Sequence, residues 1–198
     1  MIRVGLTGGI ASGKSTVAGM LRDREFPVLD ADALARELLE QGQDAYKEVV
    51  AHFGDKILAP SGAVDRRKLA AIVFSDAQQR AKLNQILHPR IRDVVANWFV
   101  ALDGPGGPEL AFEDAALILE SGGRGALDRI VVCWCRPEQQ LARLRGRGMA
   151  EADARARIAA QMPIDEKRKL ADETIDCSGS IEETERQIDQ IISNLKRG

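Results

Sequence analysis

Cysteine and histidine are scarce in this sequence of 198 residues, which contains three cysteines and two histidines. An odd number of cysteines does not make a paired disulfide framework, and no two of them have the Cys-x-x-Cys spacing of a zinc site. Cys133 and Cys135 lie in one apolar run, where we expect inert core thiols, and His52 and His88 are far apart in the sequence. The scarcity excludes a disulfide-stapled domain and argues against structural zinc.

Long hydrophobic runs and a strong charge of one sign are also missing. No stretch reaches the roughly 18 consecutive apolar residues of a membrane-spanning helix, and 28 basic residues against 30 acidic ones give a formal net charge of −2. The strand-like start at residues 2–6 does not resemble a signal or transit segment. We therefore expect a cytoplasmic protein that binds small molecules rather than nucleic acid or membranes. We expect a monomer, with a weak oligomer as the alternative.

The charge is unevenly distributed along the chain. Residues 136–169 contain nine basic and five acidic residues, a net charge of +4, which leaves 19 basic and 25 acidic residues elsewhere, a net charge of −6. Three arginines of this segment lie beside glycines and predict a mobile lid at about 138–165 that binds phosphoryl oxygens: Arg143, Arg145 and Arg147. A solvated helix surface is the alternative for each of them, and it is our expectation for Arg155, Arg157, Lys167, Arg168 and Lys169.

Apolar segments alternate with helical patterns along most of the chain. Strands are predicted at residues 2–6, 26–30, 115–119, 130–135 and 174–176. Helices are predicted from residue 14 and at about 137–146, 150–161 and 181–196. Strands that alternate with helices predict a three-layer α/β domain with a parallel sheet.

The pattern between residues 43 and 104 is almost entirely helical. Pro89 is expected to end one helix and to occupy the first turn of the next, so that His88 and Pro89 open that second helix. We therefore predict a core formed by residues 1–42 and 105–198, with a helical insertion at 43–104 between its second and third strands.

The strongest motif follows the first strand. Residues 8–15 read Gly-Gly-Ile-Ala-Ser-Gly-Lys-Ser, which matches the phosphate-loop pattern G-x-x-x-x-G-K-[ST] between a strand and a helix. Glycines let the backbone wrap a polyphosphate, so that N–H groups and the helix N-terminus point at it. Lys14 is expected to reach the β- and γ-phosphates, Ser15 to bind Mg²⁺ through its hydroxyl, and Thr16 to lie near the α-phosphate. An unrelated glycine-rich turn is the alternative.

The remaining motifs favour a small-molecule kinase. The guanine-reading tetrapeptide Asn-Lys-x-Asp of GTPases is absent, and the chain is short for a large ATPase machine. Asp30 and Asp32 follow the second strand, at the edge where open α/β sheets bind ligands. Asp32 is the expected acceptor for the proton of the attacking hydroxyl, with a helix N-cap as its alternative role. Glu120 is a further candidate for ordering Mg²⁺ or substrate, with a structural role as the alternative.

Motifs along the whole chain resemble those of the dephospho-CoA kinase family, which completes coenzyme A synthesis. The phosphate loop at residues 5–16 and the Asp-Ala-Asp motif at 30–32 with Ala35 and Arg36 carry the first part of the resemblance. The helical CoA-domain signature is similar to residues 62–66, Leu69, 73–74, Leu83, Ile86, 88–89 and Ile91. The later blocks are similar to residues 117–122, Gln140, Arg143, Arg147, Gln161, 171–172 and 175–176.

The resemblance implies a P-loop kinase core with a parallel sheet, a helical CoA-domain insertion and a helical lid. It implies that ATP and dephospho-CoA are the substrates, with Mg²⁺ as cofactor. ATP would be held by the loop residues Ala11, Ser12, Gly13, Lys14, Ser15 and Thr16. Asp32 would be the base for the ribose 3′-hydroxyl, and Arg143 would stabilise the phosphoryl group in transfer. Thr7 would lie near the transfer point, and His88 would lie on the acceptor side, with a structural or capping role as the alternative for His88.

Two positions depart from what the resemblance leads us to expect. Ala116 stands where the family usually has proline, and Cys177 stands where asparagine is usual. The segment after Gly104 is also unusual in register. Within the phosphate loop, Ala11 is suitable only if its position does not need a positive φ. The alternative functions are a kinase of a nucleoside monophosphate or of a shikimate-like alcohol, and a nucleotide-dependent switch or nucleic-acid-associated ATPase. The acidic pI of about 5.8 counts against the last of these.

Overall fold

Parallel strands form one five-stranded sheet. The strands are β1 (Ile2–Gly8), β2 (Val28–Asp30), β3 (Leu110–Asp114), β4 (Arg129–Trp134) and β5 (Glu173–Asp176). Their order is β2-β3-β1-β4-β5, and every neighbouring pair is parallel. The register pairs Leu6 of β1 with Asp114 on one side and with Val131 on the other.

The structure is a computed structural model that describes residues 1–197, arranged in two compact units. One unit consists of Met1–Asp30 and the chain from Ala96 onward, and the other of Ala31–Val95. The helices are α1 (Lys14–Asp23), α2 (Ala31–Glu37), α3 (Asp44–Phe53), α4 (Arg66–Ser75), α5 (Ala77–Leu102), α6 (Pro137–Gly146), α7 (Glu151–Ala159), α8 (Ile164–Lys169) and α9 (Ile181–Leu195). Within residues 1–197, no helix combines the length and apolar character needed to cross a membrane.

The sheet is covered on both faces. Val131 and Cys133 of β4 lie in one apolar cluster with buried residues of α1 and α9, whereas Ile130 and Val132 of the same strand pack with Ile164 of α8. Alternate residues of a strand point to opposite faces, so these clusters lie on the two sides of one sheet. This arrangement confirms the predicted three-layer α/β fold.

The second unit is a helical cluster around its own apolar centre. Val49 and Phe53 of α3, Leu69 of α4 and Ile86 of α5 are among its buried residues. Asp65 caps α4, because its carboxylate accepts hydrogen bonds from the N–H groups that follow it. The unit overlaps the insertion predicted at 43–104.

The third strand lies five residues before its predicted place. The prediction put it at 115–119, but the strand is Leu110–Asp114. Residues 115–119 enter a helical turn, in which the Ser121 N–H donates to the Leu117 carbonyl (N···O 2.9 Å). The strand ends in Asp114, a charged residue that is buried and paired with Lys14, and a pattern of apolar residues alone does not include such a residue.

Pro89 lies inside α5 and does not separate two helices, so the prediction that His88 and Pro89 open a helix was wrong. The helix continues because residues on both sides of the proline, such as Ile86 and Val95, are buried. A proline lacks the N–H of a helical hydrogen bond. Close to it, the Arg90 guanidinium donates to the Ile86 carbonyl at 2.6 Å.

Candidate nucleotide site

The phosphate loop connects β1 to α1. The Ser12 N–H donates to the Gly9 carbonyl at 3.1 Å, and the N–H groups of Thr16 and Val17 donate to the Gly13 carbonyl and begin the helix. Gly13 has φ 111°, and a Cβ there would lie 2.8 Å from the Cβ of Cys177. Glycine is therefore required at this position for both its conformation and its close contact.

Ala11 adopts the left-handed conformation, with φ 60°. On sequence grounds, alanine suits this position only if the position has no positive φ. That expectation is wrong for this loop, because alanine is present and its φ is positive. The conformation costs a residue with a Cβ about 1–2 kcal/mol, so neighbouring contacts must hold it. Arg143 supplies one of them, because its guanidinium donates to the Ala11 carbonyl at 3.1 Å and to the Cys177 carbonyl at 2.6 Å.

Lys14, the invariant cation of the motif, forms an ion pair with Asp114. The two side chains are 12% and 5% exposed, so little water screens the pair. Asp114 ends β3, beside β1, which is where phosphate-loop enzymes carry an acidic residue for the metal that accompanies the nucleotide. Sequence reasoning missed Asp114 because it misplaced β3; the apolar Leu-Ala-Phe run that ends in acidic residues was the available signal.

The hydroxyl groups near the loop have different environments. Ser15 and Thr16, at the start of α1, are exposed. Thr7 at the end of β1 is fully buried, and its hydroxyl donates to the Ala116 carbonyl at 3.1 Å. The Ser12 hydroxyl is also buried and has no hydrogen-bond partner among the described residues. Ser15 and Thr16 are therefore the hydroxyls most accessible to a ligand.

A pocket of about 240 Å³ lies beside the loop. Its lining includes Ala11, Thr16, Arg143, Arg147, Cys177 and Ile181. Ile181, at the start of α9, is 54% exposed, which gives the pocket an apolar surface beside two arginines. Arg145, the third arginine of the predicted lid, forms an ion pair with Glu151 (N···O 3.3 Å) and does not line this pocket.

Two glutamines hold the backbone of Ile10 in the loop. The side-chain amide of Gln140 on α6 donates to the Ile10 carbonyl at 2.7 Å, and the side-chain oxygen of Gln161, after α7, accepts from the Ile10 N–H at 2.7 Å. Gln140 is 3% exposed. Neither residue was predicted as part of the site, although both lie in the blocks that carry the family resemblance.

Lys167 of α8 is completely buried, which corrects the prediction of an ordinary helix surface. Its ammonium group donates to the Ala116 carbonyl at 2.6 Å and lies 2.8 Å from a carboxylate oxygen of Glu120. Glu120 also accepts from the Met162 N–H at 3.0 Å. The lysine thus connects α8 to the turn after β3, and the charge pattern alone could not show this burial.

The three thiols lie close to the loop and differ in acidity. Burial raises the pKa of Cys135 to about 11, and burial together with the hydrogen bond that it donates to Cys177 raises the pKa of Cys133. The pKa of Cys177 is lowered, chiefly by its hydrogen bond with Cys133, with a further contribution from the positive charge of Arg143. Cys177 is thus the most acidic of the three.

Asp32 and His88 belong to the second unit, whereas the other predicted site residues belong to the first. Asp32 is exposed and lies in the first turn of α2. It is not the N-cap, because the helix begins one residue earlier, directly after β2. His88 is half-buried within α5; burial lowers its pKa, and the nearby charge of Arg92 lowers it further.

Comparison with known proteins gives a consistent result. A family model described as dephospho-CoA kinase matches residues 2–183. The dephospho-CoA kinase of Geobacillus kaustophilus is 46% identical over 188 residues, which cover 94% of this chain and 93% of that protein. The enzyme of the same name from Arabidopsis thaliana is 43% identical over 195 residues, covering 98% of this chain and 84% of that protein.

Solved structures agree with these sequence matches. A protein from Thermus thermophilus superimposes with a TM-score of 0.82 and 35% identity, covering 98% of this chain and 97% of that one. The dephospho-CoA kinase from Campylobacter jejuni superimposes with a TM-score of 0.70 and 26% identity, covering 99% and 98%. A shikimate kinase from Bacteroides thetaiotaomicron, at a TM-score of 0.53 and 14% identity over 98% of both chains, shares the fold.

Proposed function

The chain belongs to the dephospho-CoA kinase family, and from this premise we propose that it transfers the γ-phosphoryl group of ATP to the ribose 3′-hydroxyl of dephospho-CoA. The observation that carries the proposal is the phosphate loop with Lys14 held by Asp114 at the end of the adjoining strand. Phosphoryl transfer needs positioning and charge neutralisation more than covalent chemistry, and this constellation supplies both.

The donor side is proposed to be the loop and the pocket beside it. Residues 11–16 would hold the triphosphate through backbone N–H groups and the N-terminus of α1. Lys14 would neutralise charge on the β- and γ-phosphates, and Arg143 would stabilise the charge on the phosphoryl group in transfer. Lys14 is itself a residue of the loop. Arg143 contacts the loop from α6, because its guanidinium donates a hydrogen bond to the Ala11 carbonyl.

Mg²⁺ is the proposed cofactor. Within residues 1–197, no group of three or more histidine, cysteine, aspartate or glutamate side chains could hold a metal by itself. Mg²⁺ usually retains waters and takes only one or two protein oxygens together with phosphate oxygens. The exposed hydroxyl of Ser15 and the carboxylate of Asp114 are donors of this kind. When bound, the ion would neutralise charge on the transferred group.

The acceptor side is proposed to involve Asp32, Thr7 and His88. Asp32 follows the last residue of β2 by two positions in the sequence, and α/β proteins bind ligands beyond the carboxyl ends of their strands. It would accept the proton of the ribose 3′-hydroxyl as the oxygen attacks the γ-phosphorus. We further propose that the helical insertion at 43–104 binds dephospho-CoA and that residues 138–165 act as a lid. A cytoplasmic location and a monomeric state stay predictions.

The test of this function is a coupled assay of ADP release with ATP and dephospho-CoA, with shikimate and AMP as alternative acceptors. We expect turnover with dephospho-CoA alone, and a preference for another acceptor would contradict the proposal.

Asp32→Asn should lower kcat about 100-fold or more while the Kd for ATP changes less than about twofold, because the base acts in the chemical step. The matched control is Asp23→Asn at the end of α1. If Asp32→Asn retains kcat within a few fold, Asp32 is not the base.

A further inference from the structure

The phosphate loop contains a turn whose form depends on the direction of one peptide. The hydrogen bond from the Ser12 N–H to the Gly9 carbonyl closes a four-residue turn over Ile10 and Ala11. Ala11, the third residue of this turn, has φ 60°, and a positive φ there is characteristic of type II. In the commoner type I turn, the third residue has a negative φ and the central peptide faces the other way.

Alanine alone does not favour the turn that is observed. A residue with a Cβ is disfavoured in the left-handed conformation, whereas glycine adopts it freely. The Ile10–Ala11 peptide is therefore held by contacts from outside the loop, and the structure identifies them.

Gln140 and Gln161 bind the two polar backbone groups of Ile10. Gln140 donates to the carbonyl and Gln161 accepts from the N–H, each at 2.7 Å. If the Ile10–Ala11 peptide turned over, the buried amide of Gln140 would lose the carbonyl to which it donates, and an unsatisfied buried donor is costly. Arg143, three residues later on α6, holds the next carbonyl, that of Ala11, from the same helix.

We propose that Gln140 and Gln161 are positioning residues that keep the phosphate loop in its nucleotide-binding form. Gln140 fixes the Ile10–Ala11 peptide through its carbonyl, and Gln161 fixes the preceding Gly9–Ile10 peptide, at which the turn begins, through its N–H. The carbonyl and the following N–H of a trans peptide point in opposite directions. With its carbonyl on Gln140, the Ile10–Ala11 peptide directs the Ala11 N–H away from α6 and leaves it available to a phosphate group. The inference rests on the proposed ATP-dependent function.

The main test combines the Gln140→Leu substitution with Ala11→Gly. Affinity for a non-hydrolysable ATP analogue is measured by calorimetry without acceptor. We expect Gln140→Leu alone to raise the Kd about tenfold, as the loss of a hydrogen bond to a buried group does. In the presence of Ala11→Gly the same substitution should raise the Kd less than about threefold, because glycine needs no support at a positive φ. An equal loss in both backgrounds would overturn the proposal.

A second test replaces each glutamine by glutamate, whose side chain accepts hydrogen bonds but, when ionised, cannot donate them. Gln161→Glu keeps an acceptor for the Ile10 N–H and should change the Kd less than about threefold, whereas Gln161→Leu should raise it about tenfold. Gln140→Glu replaces a donor by an acceptor, so it should bind the analogue at least as poorly as Gln140→Leu. Equal effects of Gln161→Glu and Gln161→Leu would contradict the assignment. If the Gln140 variants do not fold, the Gln161 pair still tests the support of the turn at its first peptide, and equal Kd values for Gln161→Leu and the wild type would overturn the proposal.

Controls separate this inference from the proposed function. Gln190→Leu makes the same chemical change at an exposed position of α9 and should leave the Kd unchanged. In steady-state assays the KM for ATP should rise in the positioning variants while the KM for dephospho-CoA stays constant. A wild-type protein that binds the analogue but does not phosphorylate dephospho-CoA would refute the proposed function and leave the loop test intact.

Discussion

Cys177 differs from the other thiols in both position and acidity. It lines the pocket beside the phosphate loop, and its pKa is lowered by the hydrogen bond with Cys133 and by the charge of Arg143. The pKa of Cys135 is raised to about 11 by burial. Thiolates, rather than thiols, react with alkylating reagents.

We therefore expect iodoacetamide at neutral pH to modify Cys177 first, because a lowered pKa leaves more thiolate at a given pH. The rate should rise with pH until Cys177 is deprotonated, while Cys135 stays largely protonated below pH 10. A saturating ATP analogue should slow the reaction. Peptide mass spectrometry measures the site, Cys177→Ser serves as the control, and faster labelling of Cys135 would contradict the order.

Replacing Ala11 by glycine should stabilise the protein, whereas replacing alanine by glycine in a helix usually destabilises it. Ala11→Gly removes the cost of the left-handed conformation in the folded protein. It also increases the conformational entropy of the unfolded chain, which partly offsets this gain. The free energy of unfolding should therefore rise by about 1 kcal/mol or less. Ala156→Gly, on the exposed side of α7, should lower it by about 1 kcal/mol. Urea unfolding of the two variants measures both signs, and destabilisation by Ala11→Gly would show that the loop does not carry the strain.

Among the helices, α4 begins at a side-chain N-cap, Asp65. The Asp65 carboxylate accepts from the N–H groups of Arg67 and Lys68 at 3.0 and 3.3 Å. Asp65→Ala should lower the free energy of unfolding by about 1 kcal/mol, whereas Asp65→Asn keeps the acceptor and should cost only a few tenths. Thermal unfolding of both variants checks this, and equal losses would mean that charge rather than capping is responsible.

Sequence periodicity predicted most elements but failed where tertiary contacts reverse a local signal. β1, β4, β5 and α9 follow their patterns closely because their residues are covered evenly by the core. β3 was misplaced because its last residue is a charge buried against Lys14, and such a pair forms only when distant segments meet. The helix α5 continues through Pro89 for the same reason, since packing on both sides outweighs the local preference.

In the candidate site, too, local sequence patterns predicted some residues and missed others. The motif alone predicted Lys14, Ser15 and Thr16, because their roles follow from spacing in a loop between strand and helix. Gln140 and Lys167 contact the loop region from residues more than a hundred positions later in the chain, and nothing in their local sequence distinguishes them from surface side chains.

At the scale of the whole molecule, the positive segment 136–169 is less available to a ligand than its charge suggests. Arg145 and Arg155 both pair with Glu151, and Lys167 pairs with Glu120. Arg143 and Arg147, in contrast, line the pocket beside the loop. Some basic residues of this segment are therefore held in ion pairs within the protein, whereas Arg143 and Arg147 lie where they could contact a polyphosphate.

Salt dependence of nucleotide affinity tests this division. Arg147→Gln should raise the Kd for the ATP analogue severalfold at low salt and reduce the loss of affinity as salt increases, because added ions screen exposed charges. Arg155→Gln, whose side chain pairs with Glu151 away from the pocket, is the matched control and should change neither quantity. Identical salt slopes for Arg147→Gln and the wild type would contradict a role for Arg147 in binding.

The strand order also governs how the chain can assemble during synthesis. β3 lies between β1 and β2 in the sheet but is made some eighty residues after β2. Until it emerges from the ribosome, the first two strands have no neighbour with which to pair, whereas the continuous stretch Ala31–Val95 already contains every residue of its own apolar cluster. Because β1 and β2 both pair with β3, the part of the sheet that carries the phosphate loop can be completed only after β3 has been made.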